Sequence, residues 1–420
     1  MPEMKLTPFL LLAPGLLFAF QTFAQPGCPD PQATNFNPSA TSNDGSCLYP
    51  VTNYAPQFKA FLPETMQEIS GHVKAGNFWY CHNDGSDSAR FYRFNPENGL
   101  VNQKVELKNA SNADWEDVAA TTTHLYLGDF GNNTNDRQNL GIYKVPLADI
   151  GSDNEEMVGD DKWTFIPFSY EDQTDFSTQP IDSAVFDCEA MIFFNGKLHL
   201  FTKNHKEYTT SHYVVNEVTG KAEKIETFDT DGLITGADIS PDGEVVALLG
   251  YDLRGLPKVF TWLLWDWETG SDSLFSGNKR RIELGSVLIA GQAEGIGFAG
   301  NRTGYLTNER TSAGGVVLVE PGVRSFDFGQ WVPESIATGE PSEAARFQIF
   351  PNPFLQTVHF QFFDNKKPVA LRVFDLVGKV ILSLDYVPEK LNQSHLPPGI
   401  YTFEITWRGG GTTVVRGVKN

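Results

Sequence analysis

Three glutamates and two hydroxyl residues occupy one position of a five-residue word that recurs five times along the chain. The words are Ile69-Ser70-Gly71-His72-Val73, Trp115-Glu116-Asp117-Val118-Ala119, Cys188-Glu189-Ala190-Met191-Ile192, Ile234-Thr235-Gly236-Ala237-Asp238 and Ala293-Glu294-Gly295-Ile296-Gly297. If they are equivalent pieces of one repeated unit, Ser70, Glu116, Glu189, Thr235 and Glu294 share a register and can converge. Converging carboxylates repel strongly away from water unless they are protonated or bind a cation. Three carboxylates and two hydroxyls, completed by water, make a shell of hard oxygen donors suited to Ca²⁺, the cofactor expected here. The competing expectation is that some of these acids accept backbone N–H bonds from neighbouring strands, as buried carboxylates do.

Further reactive side chains gather where a second strand ends after each word. They are His82, Asn83 and Asp84; Asp129 and Asn132; Lys203, Asn204 and His205; Tyr251 and Asp252; and Asn308, Glu309 and Arg310. Mixed acids and bases on converging loops suit a ligand or hydrolytic site, although singly each is ordinary loop surface. Asp114 and Asp117, beside Glu116, read as capping or turn residues, and residues 238–243 as a hairpin turn. No GxSxG elbow, HExxH, CxxC or P-loop pattern occurs. Any hydrolysis would therefore lean on the metal. Two classes stay open. One is a binding module that holds an extracellular glycan, peptide or small molecule around a structural calcium. The other is a calcium-dependent phosphoesterase-like or other hydrolase.

The elements that must position these residues follow from the repeat. Each word leads into a second strand at 78–84, 125–133, 198–205, 246–252 and 304–310, then a third (RFYRF, GIYKV, SHYVV, VFTWLLW, and VVLVE at 316–320). A fourth follows in VNQKVEL, WTFIPF, EKIETF and RRIEL. Four-stranded units at intervals of about 45 to 70 residues predict a β-propeller. The fold class is all-β: a five-bladed propeller over residues 52–331, then a small C-terminal β-sandwich. The fifth unit lacks a fourth strand, and residues 57–62 are expected to supply it and close the ring. Six blades remain the alternative, if 325–331 begins another unit or the 117–187 interval hides one; the polar insertion 150–161 explains that interval better. First strands line the channel, so the five ring residues and the second-strand exits should share one mouth.

Composition narrows the partners. Fifty-two acidic against 32 basic residues give a formal charge of −20, which makes nucleic acid a poor partner and suits calcium. Lys5 precedes an apolar run at 6–23 that is broken by Pro8, Pro14 and Gly15, and a spanning helix needs about 20 unbroken residues. With small residues at Thr22 and Ala24, residues 1–24 read as a signal peptide, and no transmembrane segment is expected in the mature chain. Residues 27–49 have almost no apolar content, so a Cys28–Cys47 disulfide is expected to staple them after export. Closing that loop is worth roughly 3 kcal/mol. Asp30, Asn35, Asn37, Asn43 and Asp44 could hold calcium there or cap their own backbone as Asx turns. Cys81 and Cys188 fall in non-adjacent units and read as free, buried thiols. Residues 332–346 read as a linker.

Residues 347–420 alternate apolar and polar in short runs, the period of half-buried strands. Pro351-Asn352-Pro353, Val373-Phe374-Asp375 with Gly378-Lys379-Val380, Leu396-Pro397-Pro398-Gly399-Ile400-Tyr401 and the basic end from Arg416 to Lys419 resemble the C-terminal sorting domain of type IX secretion in Bacteroidetes-type bacteria. The resemblance implies passage through the periplasm to the outer-membrane surface or the medium, with the type IX secretion machinery as partner. Residues 27–49 resemble the short Asp/Asn-rich cysteine repeat of exported proteins of the same group. In the body, WEDVA, LGDFGNN, ITGADISPDG and EGI resemble uncharacterised secreted bacterial β-propellers, and the opening strands are loosely phytase-like. The Ser/Glu/Glu/Thr/Glu order resembles the central calcium ring of five-bladed calcium-activated nucleotidases, with Thr235 where that family has serine. No other nucleotidase residue finds a match.

Overall fold

A computed structural model describes residues 25–332 and 347–419, apart from 86, 269, 353, 363–366, 376–378, 389 and 408–411. The proposed signal peptide and nearly all of the proposed linker lie outside these residues. The chain divides into two units, Met1–Pro333 and Glu334–Asn420.

Five sheets of four or five strands form the body of the first unit, beside two two-stranded ones, Pro26–Gly27 with Ser42–Asn43 and Thr311–Ala313 with Val316–Val319. The first contains Ile69–Ala75, Phe78–Asn83, Arg90–Phe94 and Val101–Leu107; the second Trp115–Ala120, His124–Asp129, Gly141–Pro146 and Thr164–Pro167. The third contains Cys188–Phe194, Lys197–Thr202, Thr209–Asn216 and Lys221–Asp229; the fourth Leu233–Ile239, Val245–Asp252, Lys258–Trp265 and Asn278–Ser286. In the fifth, Ala293–Phe298 and Thr303–Asn308 are followed by Gly322–Asp327 and then Gln57–Phe61. Short turns keep successive strands antiparallel. Between Phe194 and Lys197, for example, Asn195 and Gly196 take φ of 49° and 78°, the left-handed pair that matches strand twist in a tight hairpin.

The first strands neighbour one another in sequence order, and the fifth returns to the first. Each gap between adjacent sheets holds one apolar cluster, built around Trp115, Tyr213, Phe260, Phe326 and Tyr92 in turn. Fully burying each large apolar side chain contributes about 1.5–3 kcal/mol, so every sheet is held by both neighbours. The result is a closed, propeller-like ring of five sheets among the described residues.

Gln57–Phe61 supplies the outer strand of the fifth sheet, joining the two ends of the ring. The third strand of that sheet is not 316–320. It is Gly322–Asp327, because Val323 and Phe326 turn into the sheet-to-sheet cores while Val316, Val317 and Leu318 stay exposed. Residues 325–331 therefore belong to the fifth sheet and its exit. Part of the polar insertion also forms a strand: Glu155–Val158, from the stretch that follows the second sheet's third strand, runs parallel to Val101–Leu107 at the edge of the first sheet. Ser169–Tyr170 and Thr52–Asn53 cover the outer edges of the third and fourth sheets in the same way, blunting edges that would otherwise pair with other chains.

Cys28 and Cys47 form a disulfide, and Cys81 and Cys188 are buried thiols. The stapled segment packs on the fourth sheet. Asn43 Nδ2 donates to Asp266 Oδ2 at 2.8 Å and Arg280 donates to Gln32 at 2.7 Å, while Tyr49 packs on Trp265. Its Asx side chains bond locally: Asp30, Asn37, Asn43 and Asp44 each accept the amide two residues on, and Asn35 accepts from Leu48.

In the second unit, Phe347–Phe350, Thr357–Phe362 and Lys390–Asn392 form one antiparallel sheet. Val380–Leu384, Pro368–Phe374, Gly399–Trp407 and Thr412–Lys419 form another. Along Gly399–Trp407 every second residue is buried, which sends Tyr401, Phe403, Ile405 and Trp407 into a core shared with Phe347 and Phe360. No helix among the described residues is long and apolar enough to cross a membrane.

Candidate functional site

All five first strands break their pairing at the same place. In the second sheet Asp117 faces Gly128 and Trp115 faces Asp129, so Glu116 has no opposite residue. Glu189 is skipped between Cys188 and Ala190, Thr235 between Ile234 and Gly236, and Glu294 between Ala293 and Gly295. In the first sheet Ser70 and Gly71 together stand opposite His82. A β-bulge adds one residue to a strand and re-aims its side chain, and it recurs beside functional sites. Here it is repeated around the ring. Glycine follows the bulged residue in three words because the inner strands approach closely. A Cβ at Gly71 would run into the Asp117 backbone, and one at Gly236 into the Glu294 carbonyl.

The hydroxyls tie this ring together. Ser70 Oγ donates to the Glu116 carbonyl, and Thr235 Oγ1 donates to the Ala293 carbonyl at 2.7 Å. Asp117 does more than the local capping expected of it. Its carboxylate accepts from Val118 N and Met191 N at 2.8 Å and from Ala237 N at 3.2 Å, bracketing three inner strands. Asp238 likewise accepts from Ile239 N and Phe298 N. Backbone N–H bonding therefore accounts for the buried Asp117 and the half-buried Asp238, both outside the ring position.

The ring glutamates have different surroundings. Glu189 Oε1 lies 3.0 Å from Lys203 Nζ, and both side chains are nearly buried. The ammonium sits 5.5 Å from the Tyr251 ring centroid. Glu116 is 4 % exposed. Carboxylate oxygens of Glu116, Asp84 and Asp114 lie within 4.8 Å of one another.

Electrostatics record this crowding. Burial, then the charges of Glu189, Asp84 and Asp114, raises Glu116 well above the usual carboxylate range. Burial also dominates the rise at Glu189, with Lys203 opposing it. Glu294 is pushed up to about 7 and Asp114 to about 6, in both cases chiefly by burial. Glu309 reaches about 9 through burial and the neighbouring Glu294, Glu68 and Asp84. Burial opposes the charge on Lys203, but Glu189, Tyr251 and Glu294 outweigh it and raise its pKa. A single buried ammonium thus faces a group of carboxylates whose charges cannot all coexist without a further cation or protons.

The strand-exit residues divide into two groups. Asp84, Lys203, Tyr251 and Glu309 lie near enough to the ring glutamates to interact with their charges, and His205 pairs with Asp187 at 3.2 Å. The rest hold the scaffold. His82 is a core residue, edge-on to Trp115 and lowered to about 4 by burial. Asn83 bonds Thr65 and Asp87, and Asp129 is held by Arg137 at 2.7 Å. Asn132 joins Phe186 to Arg137, while Asn204 accepts from Lys206 and Glu207 in a turn. Asp252 pairs with Arg254, Asn308 ties Glu320 to Arg324, and Arg310 bonds Gln67 and Glu320. Asp114 and Asp187 belong to the same acidic cluster, a role the sequence reading does not give them. Each immediately precedes a repeated word, at Trp115 and Cys188, and that shared offset was the available signal.

Outside the body the comparison with known families is direct. Residues 348–419 match the secretion system C-terminal sorting domain. This tail marks the protein for the type IX secretion machinery and for delivery to the cell surface or beyond. No curated protein is significantly similar to the chain. Among solved structures, the chain is similar to the PQQ-bound aldose sugar dehydrogenase of Streptomyces coelicolor, at 10% identity and TM-score 0.38, covering 65% of this chain and 98% of that one. It is also similar to an exo-β-1,3-galactanase of Phanerochaete chrysosporium, at 12% identity and TM-score 0.37, over 88% and 98% of the two chains. A putative 6-phosphogluconolactonase of Bacteroides uniformis matches at 13% identity and TM-score 0.30, over 82% and 91%. At these scores the likenesses carry no weight for activity; the closed ring of sheets defines the fold.

Proposed function

We propose that the first unit is a five-bladed β-propeller that binds an extracellular ligand at a calcium-centred channel mouth. The tail delivers it to the outside. The observation that carries this reading is Glu116, a carboxylate only 4 % exposed whose oxygen lies within 4.8 Å of those of Asp84 and Asp114. Desolvating an isolated carboxylate is expensive, and a bound cation relieves that cost. The donor set is oxygen only, irregular and strongly acidic, which suits Ca²⁺ better than softer metals or the strict octahedron of Mg²⁺. Asp84, Asp114 and Glu116 form one side of the site, and Glu189 and Glu294 approach from the side shared with Lys203. Ser70 and Thr235 order the strands that carry these acids, and each hydroxyl keeps lone pairs with which to complete the shell.

Binding, rather than turnover, is the better fit to the mouth. Ser70 donates its proton to the Glu116 carbonyl and Thr235 to the Ala293 carbonyl, so among the described residues neither ring hydroxyl is bonded to an imidazole base. The test is metal analysis and thermal unfolding of the full-length chain, with calcium and with chelator. Calcium should co-purify and raise the melting temperature by mass action. Calcium-dependent turnover in a phosphoester and lactone panel would instead place the protein among the hydrolases.

A further inference from the structure

Beside the acidic mouth lies an aliphatic ridge that the calcium reading leaves unused. Thr311–Ala313 and Val316–Val319 form a two-stranded hairpin that pairs with no other strand among the described residues. Val316 and Leu318 on it are exposed. The one-turn helix Val287–Ala290 lies against this hairpin and exposes Leu288 and, at 75%, Ile289. Val287 N bonds the Pro257 carbonyl at 3.2 Å. That bond brings in the neighbouring loop with Leu256, 84% exposed.

The root of the ridge is the rim of the mouth. Gln292 N donates to Thr311 Oγ1 at 3.3 Å, and the Gln292 carbonyl accepts from Glu309 N at 3.1 Å. Gln292 stands two residues before the bulged Glu294. Aliphatic surface and carboxylates therefore share a border at Glu309.

Clustered exposed aliphatics on one face of a secreted protein mark an interaction surface. A lone hairpin is marginal by itself and offers unpaired edge N–H and C=O groups, the template for an added strand. Charge selects what can be added. The Gln292 carbonyl holds the Glu309 backbone at the foot of the ridge, and the carboxylates of Asp84, Asp114 and Glu116 gather within 4.8 Å of one another in the mouth.

We propose that ridge and mouth together bind an extended peptide of alternating aliphatic residues that carries a lysine or arginine. The peptide adds a strand to the hairpin by β-augmentation. Its aliphatic side chains cover Leu318, Leu288 and Ile289, and its cation reaches Glu309. This rests on the mouth being a ligand site, but not on calcium occupying it.

The test uses the full chain and a fluorescein-labelled decapeptide of alternating valine and threonine with one terminal lysine, read by fluorescence anisotropy. A control peptide carries glutamate in place of the lysine. The lysine peptide should bind at least about tenfold more tightly than the control, and added salt should narrow the difference. The double variant Val316→Ser with Leu318→Ser, and separately Leu288→Ser with Ile289→Ser, should each weaken it about tenfold while calcium binding and melting temperature stay as in the parent. Glu309→Gln should bring the lysine peptide towards the control. Equal binding of the two peptides, or parent-like binding by both serine pairs, would overturn the proposal. So would binding of the ridge to neutral phosphatidylcholine vesicles that the peptide does not displace, which would assign it to a membrane. Loss of calcium binding with peptide binding intact would sink only the metal reading.

Discussion

Lys203 Nζ lies 3.0 Å from Glu189 Oε1, and this pair is the point at which a cation of the chain itself meets the ring of carboxylates. Removing one partner of a buried pair leaves the other charge uncompensated, at a cost of about 3–5 kcal/mol. Lys203→Met should therefore lower stability by roughly that amount in chelator, measured by urea unfolding. Because the freed Glu189 becomes an additional donor, calcium should restore part of the loss. Equal destabilisation with and without calcium would show that the pair and the proposed metal do not share a site.

Asp117 gives a prediction of the opposite kind, since its role is structural. Asp117→Ala orphans the amides of Met191 and Ala237 on two neighbouring strands, and each buried unsatisfied group costs about 1–3 kcal/mol. The denaturation midpoint should fall in calcium and chelator alike. Recovery by calcium would mean that Asp117 belongs to the metal site.

Much of this architecture was legible because the repeat is a physical requirement. Each inner strand must bulge at one register and pass close to its neighbour, so a hydroxyl or carboxylate followed by a small residue recurs in Ser70-Gly71, Thr235-Gly236 and Glu294-Gly295. The fifth sheet was misread in part because Val316, Val317 and Leu318 look more like a strand than Gly322–Asp327 does. Hydrophobicity alone does not say whether a run faces the core or solvent. The strand exits were harder still. His82, Asn132 and Asn308 have the types used in ligand sites, but they are held by Trp115, the Phe186 carbonyl and Arg324, all far away in sequence, which no local pattern reveals.

The pH dependence of stability should reverse its character with metal. Glu294 sits at about 7 and Glu309 at about 9, both above the ordinary 4.5. Their protonated forms stabilise the folded state fully below about pH 4.5, and this contribution is lost as pH rises through the folded values. In chelator the melting temperature should fall from pH 7 to pH 9. With calcium in place of the protons it should stay level or rise. A falling curve of the same slope in both solutions would contradict the reading.

The stapled segment behaves as part of the body in its contacts. Cys28→Ser should cost roughly 3 kcal/mol of local stability through the freed loop. Hydrogen exchange should then speed up at Ile282 and Glu283, which pair with Thr52 and Asn53 just beyond the staple. Unchanged exchange there would mean that the segment is a passive appendage.

If the bulged ring presents a calcium site, chelator-stripped full-length protein titrated with Ca²⁺ in a calorimeter will reveal it, run beside Glu116→Gln. The parent chain should show one saturable site and the variant at least about tenfold weaker binding, a loss of about 1.4 kcal/mol or more. Absence of binding at millimolar calcium, or equal affinity in parent and variant, would contradict a calcium site there.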